Sequence, residues 1–146
     1  MAKRQAHTSW RGGLMDGTGR TTLVSSGAGE FEVSFPRRTA DEAEGVTSPE
    51  ELIGAAHSAC YSMALSSGIA KAGGTPIALE VDATVSLDPD PAGGSRISQV
   101  HLRVVATLEG LDAATFQGVA EAAKAGCPVS KALTGTAVTL EASLAE

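Results

Sequence analysis

The chain has 146 residues, one domain's worth and too few for two ordinary ones, with the 42% hydrophobic content of a folded soluble protein. Only 3% is aromatic (Trp10, Phe31, Phe35, Tyr61 and Phe116), so the core must be built from Ala, Val, Leu and Ile. A net charge of −6 with no basic run argues against nucleic acid as a partner, and no segment reaches the roughly 18 apolar residues needed to span a membrane.

Met1 to Arg11 is polar and lacks the apolar run of a signal peptide, so the expected location is the cytoplasm. The first 35 residues read as short strands. Asp16-Gly17-Thr18-Gly19 is a hairpin turn signal between the Trp10 region and a strand over Thr21–Ser25. Phe31, Val33 and Phe35 alternate with Glu32 and Ser34 until Pro36 ends the strand, and 37–47 is a polar loop. A helix then opens with Ser48 as N-cap, Pro49 in first position and Glu51 completing a capping box. From Leu52 to Ile69 its residues are small or apolar on every side, which predicts burial on most faces.

After Gly73-Gly74 and Pro76, the residues from Ile77 to Leu87 alternate apolar and polar. A turn over 88–94 leads to a second alternating run from Val100 to Leu108, so the two form a long antiparallel pair. A second helix opens at Asp112 as N-cap, with Phe116, Val119, Ala120 and Ala123 as its buried stripe. Cys127-Pro128 begins a short helical turn to about Leu133, and a last strand runs from Thr136 to Leu144. This order predicts a single α+β domain over 1–146. Its aromatic-poor core buries modest area per residue, which makes an obligate dimer with a shared core the expected assembly.

Two cysteines, Cys60 and Cys127, are in a reducing compartment more readily used as thiols than as a staple, and without a CxxC no zinc site is expected. Cys127 precedes Pro128 at a helix N-cap, where unpaired N–H groups favour a thiolate; the alternative is a small buried residue at a helix junction. Cys60 lies in mid-helix among alanines, where desolvation raises its pKa, and local sequence alone reads it as an inert core thiol. His57, one turn before Cys60, suits either a general base or a half-buried residue bonded to a carbonyl. Glu50 is freer for a site than Glu51, but ten residues of straight helix, about 15 Å, separate it from Cys60. Sharing a site would require a bent helix or a carboxylate from a partner chain. The candidate cations are Arg38, Arg37 and Arg20.

The run TSPEELIGAAHSACYSMALS (47–66), together with AGCPVSKAL (125–133), closely resembles the osmotically inducible protein C family of thiol peroxidases, whose relatives include the organic hydroperoxide resistance proteins. The resemblance extends over most of the chain. It implies an α+β fold of curved antiparallel sheets around a long buried central helix, intertwined as a homodimer. The implied activity is reduction of organic hydroperoxides, and more weakly of hydrogen peroxide, without metal, haem or flavin. By motif position Cys60 resembles the peroxidatic cysteine and Cys127 the resolving one. Glu50 resembles the carboxylate that holds the catalytic arginine, for which Arg38 is the best match. The implied cycle passes through a Cys60 sulfenic acid and a Cys60–Cys127 disulfide, re-reduced by an external dithiol such as a lipoyl-bearing protein. Two other readings stand beside it: a Cys60/His57 hydrolase, and a non-catalytic redox-sensing or small-ligand-binding dimer.

Overall fold

A computed structural model describes residues 1–145. The chain divides into two compact units, Met1–Leu52 and a second running from Ile53.

In the first unit β1 (His7–Arg11), β2 (Thr18–Thr22) and β3 (Glu30–Val33) form an antiparallel sheet in sequence order. β2 begins three residues earlier than the Thr21–Ser25 expectation, because Thr18 and Gly19 pair with Arg11 and Trp10 and do not belong to the turn. Gly19 has to be glycine there: a Cβ would lie 2.8 Å from both the Trp10 ring and Val33 Cγ2. β3 stops at Val33, short of the expected Phe35, and a short helix, α1 (Phe35–Arg38), takes up Phe35, Pro36 and the first residues of the expected polar loop. Ser34 caps it, its hydroxyl accepting from Arg37 N at 3.4 Å. The far end of that loop is tied back to the sheet, with Thr47 N donating to Glu32 O at 3.1 Å.

The long helix α2 (Pro49–Lys71) begins as its capping residues require. Glu51 N donates to Ser48 Oγ at 3.1 Å, but the Glu51 carboxylate takes the Thr47 hydroxyl, so only half of the expected capping box forms. Its C-terminus is a Schellman arrangement: Gly74 N reaches Ile69 O at 3.0 Å, with Gly73 in the left-handed region at φ 89°.

The second unit holds the core. β4 (Thr75–Pro89) and β5 (Ser95–Glu109) form the expected long antiparallel hairpin, and β6 (Ala137–Leu144) pairs with the other edge of β5. That last pairing is parallel, where the sequence suggested only antiparallel strands. It follows from the crossover through α3 (Ala113–Gly126) and α4 (Pro128–Ala132), which returns the chain to its starting end. The central strand contributes Val100, Leu102, Val104 and Ala106, all buried. From the helices come Tyr61, Leu65, Ile69, Phe116 and Ala120. Gly54 lets α2 approach the hairpin closely, since a Cβ would meet Ala83 O at 3.2 Å.

Two expectations need correction. Ile77 breaks the alternation and is exposed, because a bulge between Pro76 and Ala78 takes it out of register. In the single chain α2 is buried along one row, while Ala56, Ala59, Met63, Ser67 and Ala70 along the other remain exposed. Among the described residues no helix is long and apolar enough to cross a membrane.

Candidate functional site

Of the residues singled out in the sequence, Arg38 and Glu50 meet in the first unit, and His57, Cys60 and Cys127 lie in the second.

In the first unit, the cap at Ser34 and the Thr47–Glu32 tie fix the two ends of a loop, and across them Arg38 meets Glu50. Arg38 Nη2 lies 2.6 Å from Glu50 Oε1, and Nε lies 3.1 Å from both carboxylate oxygens. This is the fork geometry that suits a guanidinium and not an ammonium. Glu50 is buried, and desolvation works against its charge. The Arg38 hydrogen bonds and its own backbone amide outweigh that cost and hold the carboxyl below the usual range. The same bonds, opposed by partial burial, raise the Arg38 pKa further.

The other two candidate arginines are engaged elsewhere. Arg37 pairs with Glu44, and Arg20 with Glu30 at 2.7 Å, both exposed. Strand alternation separates Arg20 from Arg38. Arg20 shares a polar sheet face with His7, Arg11 and Glu32, whereas Thr8, Trp10, Thr21 and Val33 point to the other side. On that side lies a cleft of about 490 Å³, walled by Trp10, Leu14, Val33, Phe35 and Leu52, with the Arg38 side chain among its few polar groups.

In the second unit, Cys60 and Cys127 are neighbouring free thiols. Cys60 is half-buried, one position before the buried Tyr61 and so on the flank of the buried row of α2. Cys127 has no exposure at all. Its place follows from Pro128, which lacks an N–H and forces the preceding residue out of the helical region. Cys127 accordingly sits at φ −60°, ψ 124°, ending α3 and capping α4.

The two thiols are pushed in opposite directions. Burial raises the Cys60 pKa, aided by the neighbouring Cys127 and only partly offset by the Val129 amide. Burial also opposes ionisation of Cys127, yet the Ser130 amide, the Cys60 thiol, the Ser130 hydroxyl and the Val129 amide together bring it below its ordinary value.

His57 belongs to this cluster but does not serve Cys60. It is fully buried, Nε2 lies 2.7 Å from Ser130 Oγ, and Nδ1 has no partner. Burial pushes its pKa down, so it is a neutral imidazole at physiological pH. The expectation of a bond to a carbonyl is thus replaced by a bond to a hydroxyl from α4. Ser130 went unnoticed in the sequence, and its place three residues after an N-cap cysteine is the signal that marks it. Tyr61 is a packing residue, its hydroxyl donating to Ala120 O at 3.2 Å, and Met63 is exposed. Phe35 is among the residues that line the cleft described above. Among the described residues no cluster of His, Cys, Asp and Glu is arranged to hold a metal.

The family model for OsmC-like protein matches residues 41–143. Peroxiredoxin OsmC of Escherichia coli is 44% identical over 131 residues, covering 90% of this chain and 88% of the relative. The organic hydroperoxide resistance protein OhrA of Bacillus subtilis is 35% identical over 114 residues, 77% of this chain and 79% of its own. Among solved structures, OhrB of Bacillus subtilis superposes with a TM-score of 0.73 at 32% identity, covering 94% of this chain and 97% of its own.

The Arg38–Glu50 pair carries a stability prediction with a defined sign. Because the folded-state pKa of Glu50 is lowered, the pair stabilises above the unfolded carboxyl pKa and loses its contribution as pH falls through the folded value. Glu50→Gln therefore lowers the urea midpoint at pH 7. Its difference from the parent protein shrinks progressively below about pH 4, the range of an unperturbed glutamate. Parallel urea titrations across that range measure it.

Proposed function

The chain belongs to the OsmC-like protein family and is a peroxidase-type enzyme, and from that premise we propose that it reduces organic hydroperoxides through Cys60 and Cys127. The observation that carries this reading is the asymmetry of the thiol pair. Two free cysteines adjoin one another; one is reachable from solvent and the other is sealed. A peroxide can approach only the first, and the second can react only with what has formed on the first.

In the proposed cycle the Cys60 thiolate attacks one peroxide oxygen. The O–O bond breaks, and the alkoxide leaves and takes a proton to become the alcohol. Cys60 is left as a sulfenic acid. The Cys127 thiolate then displaces hydroxide from that sulfur, closing a disulfide and releasing water. An external dithiol, for which a lipoyl-bearing protein is suited, returns both thiols. Hydrogen peroxide follows the same route more slowly, because it offers no tail to bind.

Arg38, held by Glu50, is the proposed partner of the Cys60 thiolate and of the charge developing on the leaving oxygen. Cys60 needs such a cation, since burial otherwise keeps it protonated. The fork to Glu50 fixes the guanidinium before substrate arrives, so little is lost in orienting it. The apolar cleft beside Arg38 suits an alkyl or acyl tail. The hydrolase alternative is less well supported, because His57 directs its one hydrogen bond at Ser130 and leaves Nδ1 unpartnered.

The working form we propose is a homodimer. The exposed row of α2 runs from Ala56 to Ala70, and its later members Met63, Ser67 and Ala70, with Ile77 and Ala78, wall a groove of about 650 Å³. An apolar surface of that kind on a chain with so few aromatics is best covered by a second copy.

With one equivalent of cumene hydroperoxide, mass spectrometry is expected to show a Cys60–Cys127 disulfide. Cys60→Ser should abolish peroxide consumption, and two thiols that stay free would end the proposal. Arg38→Ala should raise the Cys60 thiolate pKa, read from the pH dependence of alkylation in a Cys127→Ser background. Each unit of rise corresponds to about 1.4 kcal/mol of lost differential stabilisation. An unchanged value would remove Arg38 from the site. Light scattering coupled to size exclusion should give twice the chain mass, and Met63→Glu should shift it toward the monomer.

A further inference from the structure

The proposed cycle leaves one buried titratable group without a task. His57 has no exposure, lies on the long central helix, and spends its only hydrogen bond on a hydroxyl from a different element. Burying an imidazole with one nitrogen unsatisfied is costly, and the packing alone would be served as well by a leucine. From the 2.7 Å His57–Ser130 contact, and from the position of Ser130 three residues after the capping Cys127, we infer that His57 is a positioning residue that aims the Ser130 hydroxyl at the Cys127 sulfur. The inference rests on the proposed role of Cys127 as resolving thiol.

The direction of the hydrogen bonds follows from the unpartnered nitrogen. If Nε2 accepted from Ser130, the ring proton would sit on Nδ1, a buried N–H with no acceptor. Orphaned donors of that kind are rarer in folded proteins than under-satisfied acceptors. The ring proton therefore sits on Nε2 and is donated to Ser130 Oγ. The serine hydroxyl, with its oxygen so occupied, turns its own proton toward Cys127. Neutral His57 suits the task, because burial penalises the charged imidazolium. The Ser130 hydroxyl and amide are among the groups that hold the Cys127 thiol below its ordinary pKa.

The consequence lies in the second chemical step. The Cys127 sulfur must be a thiolate, with a lone pair directed at the Cys60 sulfenic sulfur, when the S–S bond forms and hydroxide leaves. The departing hydroxide takes up a proton equivalent to the one that Cys127 gave up, so the step as a whole releases water. Holding the thiolate by Ser130 fixes both its charge and its direction. Losing that hold slows resolution and leaves the sulfenic acid open to a second peroxide, which carries Cys60 to the sulfinic acid.

The test is rapid-mixing kinetics with cumene hydroperoxide. Quenching with dimedone or acid separates the rate of sulfenic acid formation from the rate of disulfide formation. His57→Leu and Ser130→Ala are each expected to lower the ratio of the second rate to the first by about tenfold, the loss of one hydrogen bond to a charged sulfur. His57→Gln, whose amide reaches as far as Nε2 and can donate to Ser130, should restore most of that ratio. The double variant should be no worse than either single one, because both break the same chain of contacts. A ratio unchanged in His57→Leu would overturn the inference, as would a double variant that multiplies the two losses. A purely structural role for His57 would lower both rates together and leave their ratio alone. Should the parent protein form no Cys60–Cys127 disulfide, the peroxidase reading itself fails, a result distinct from any of these.

Discussion

The phase of one helix face against one strand sets the rest of the second unit. Gly54, His57, Tyr61, Leu65 and Ile69 recur at three- and four-residue intervals and bury a single row of α2, while Val100, Leu102, Val104 and Ala106 bury one face of β5. A residue one place out of that row turns by roughly 100° around the helix axis. Cys60 is such a residue. It is neither sealed in the core nor free in water, and that intermediate position is what a thiol needs if it is to meet an apolar substrate and still be held by its surroundings.

The second thiol is set by a different rule. Pro128 cannot continue α3, so the chain must turn extended at Cys127 and restart as α4. The turn delivers a fully buried sulfur next to three donors from the first turn of the new helix. Burial opposes ionisation of Cys127, and the neighbouring Ser130 and Val129 groups outweigh that cost and bring its pKa below the ordinary value. Cys60 has no comparable set of donors in its own unit. The two sulfurs are thus differently prepared before any peroxide arrives.

Much of this was legible from residues alone. The long helix with its cap, the hairpin expected over Ile77–Leu87 and Val100–Leu108, the Asp112 cap and the role of Cys127 as a cap all follow from local chemistry that acts within a few residues. What was not legible depends on distant partners. The parallel docking of β6 is decided by the crossover before it, and nothing in Ala137–Leu144 distinguishes one direction from the other. The exposure of Ile77 follows from a bulge that its alternating neighbours conceal. The hydrogen bond from His57 to Ser130 joins residues 73 positions apart, so a histidine that looked ready for a nearby carbonyl found a hydroxyl on another helix. The pairing of Arg38 with Glu50 is the one the family resemblance implied; local sequence did not announce it, because it rests on a loop whose two ends are each tied to the first sheet or its caps.

The parallel return of β6 also bears on how the protein comes into being. Strand pairs with a helical crossover between them form late, because the loop must be closed before the contacts that reward it exist. Cys127 lies within that crossover, at the joint of its two helices, while Cys60 lies on an element completed much earlier in the chain. If Cys60 attacks and Cys127 resolves, as proposed, a nascent or partly folded molecule carries the first sulfur before the second is in place. On the proposed roles, maturation in this architecture ends with the arrival of the resolving thiol, and the protection it would give against a second peroxide is acquired last.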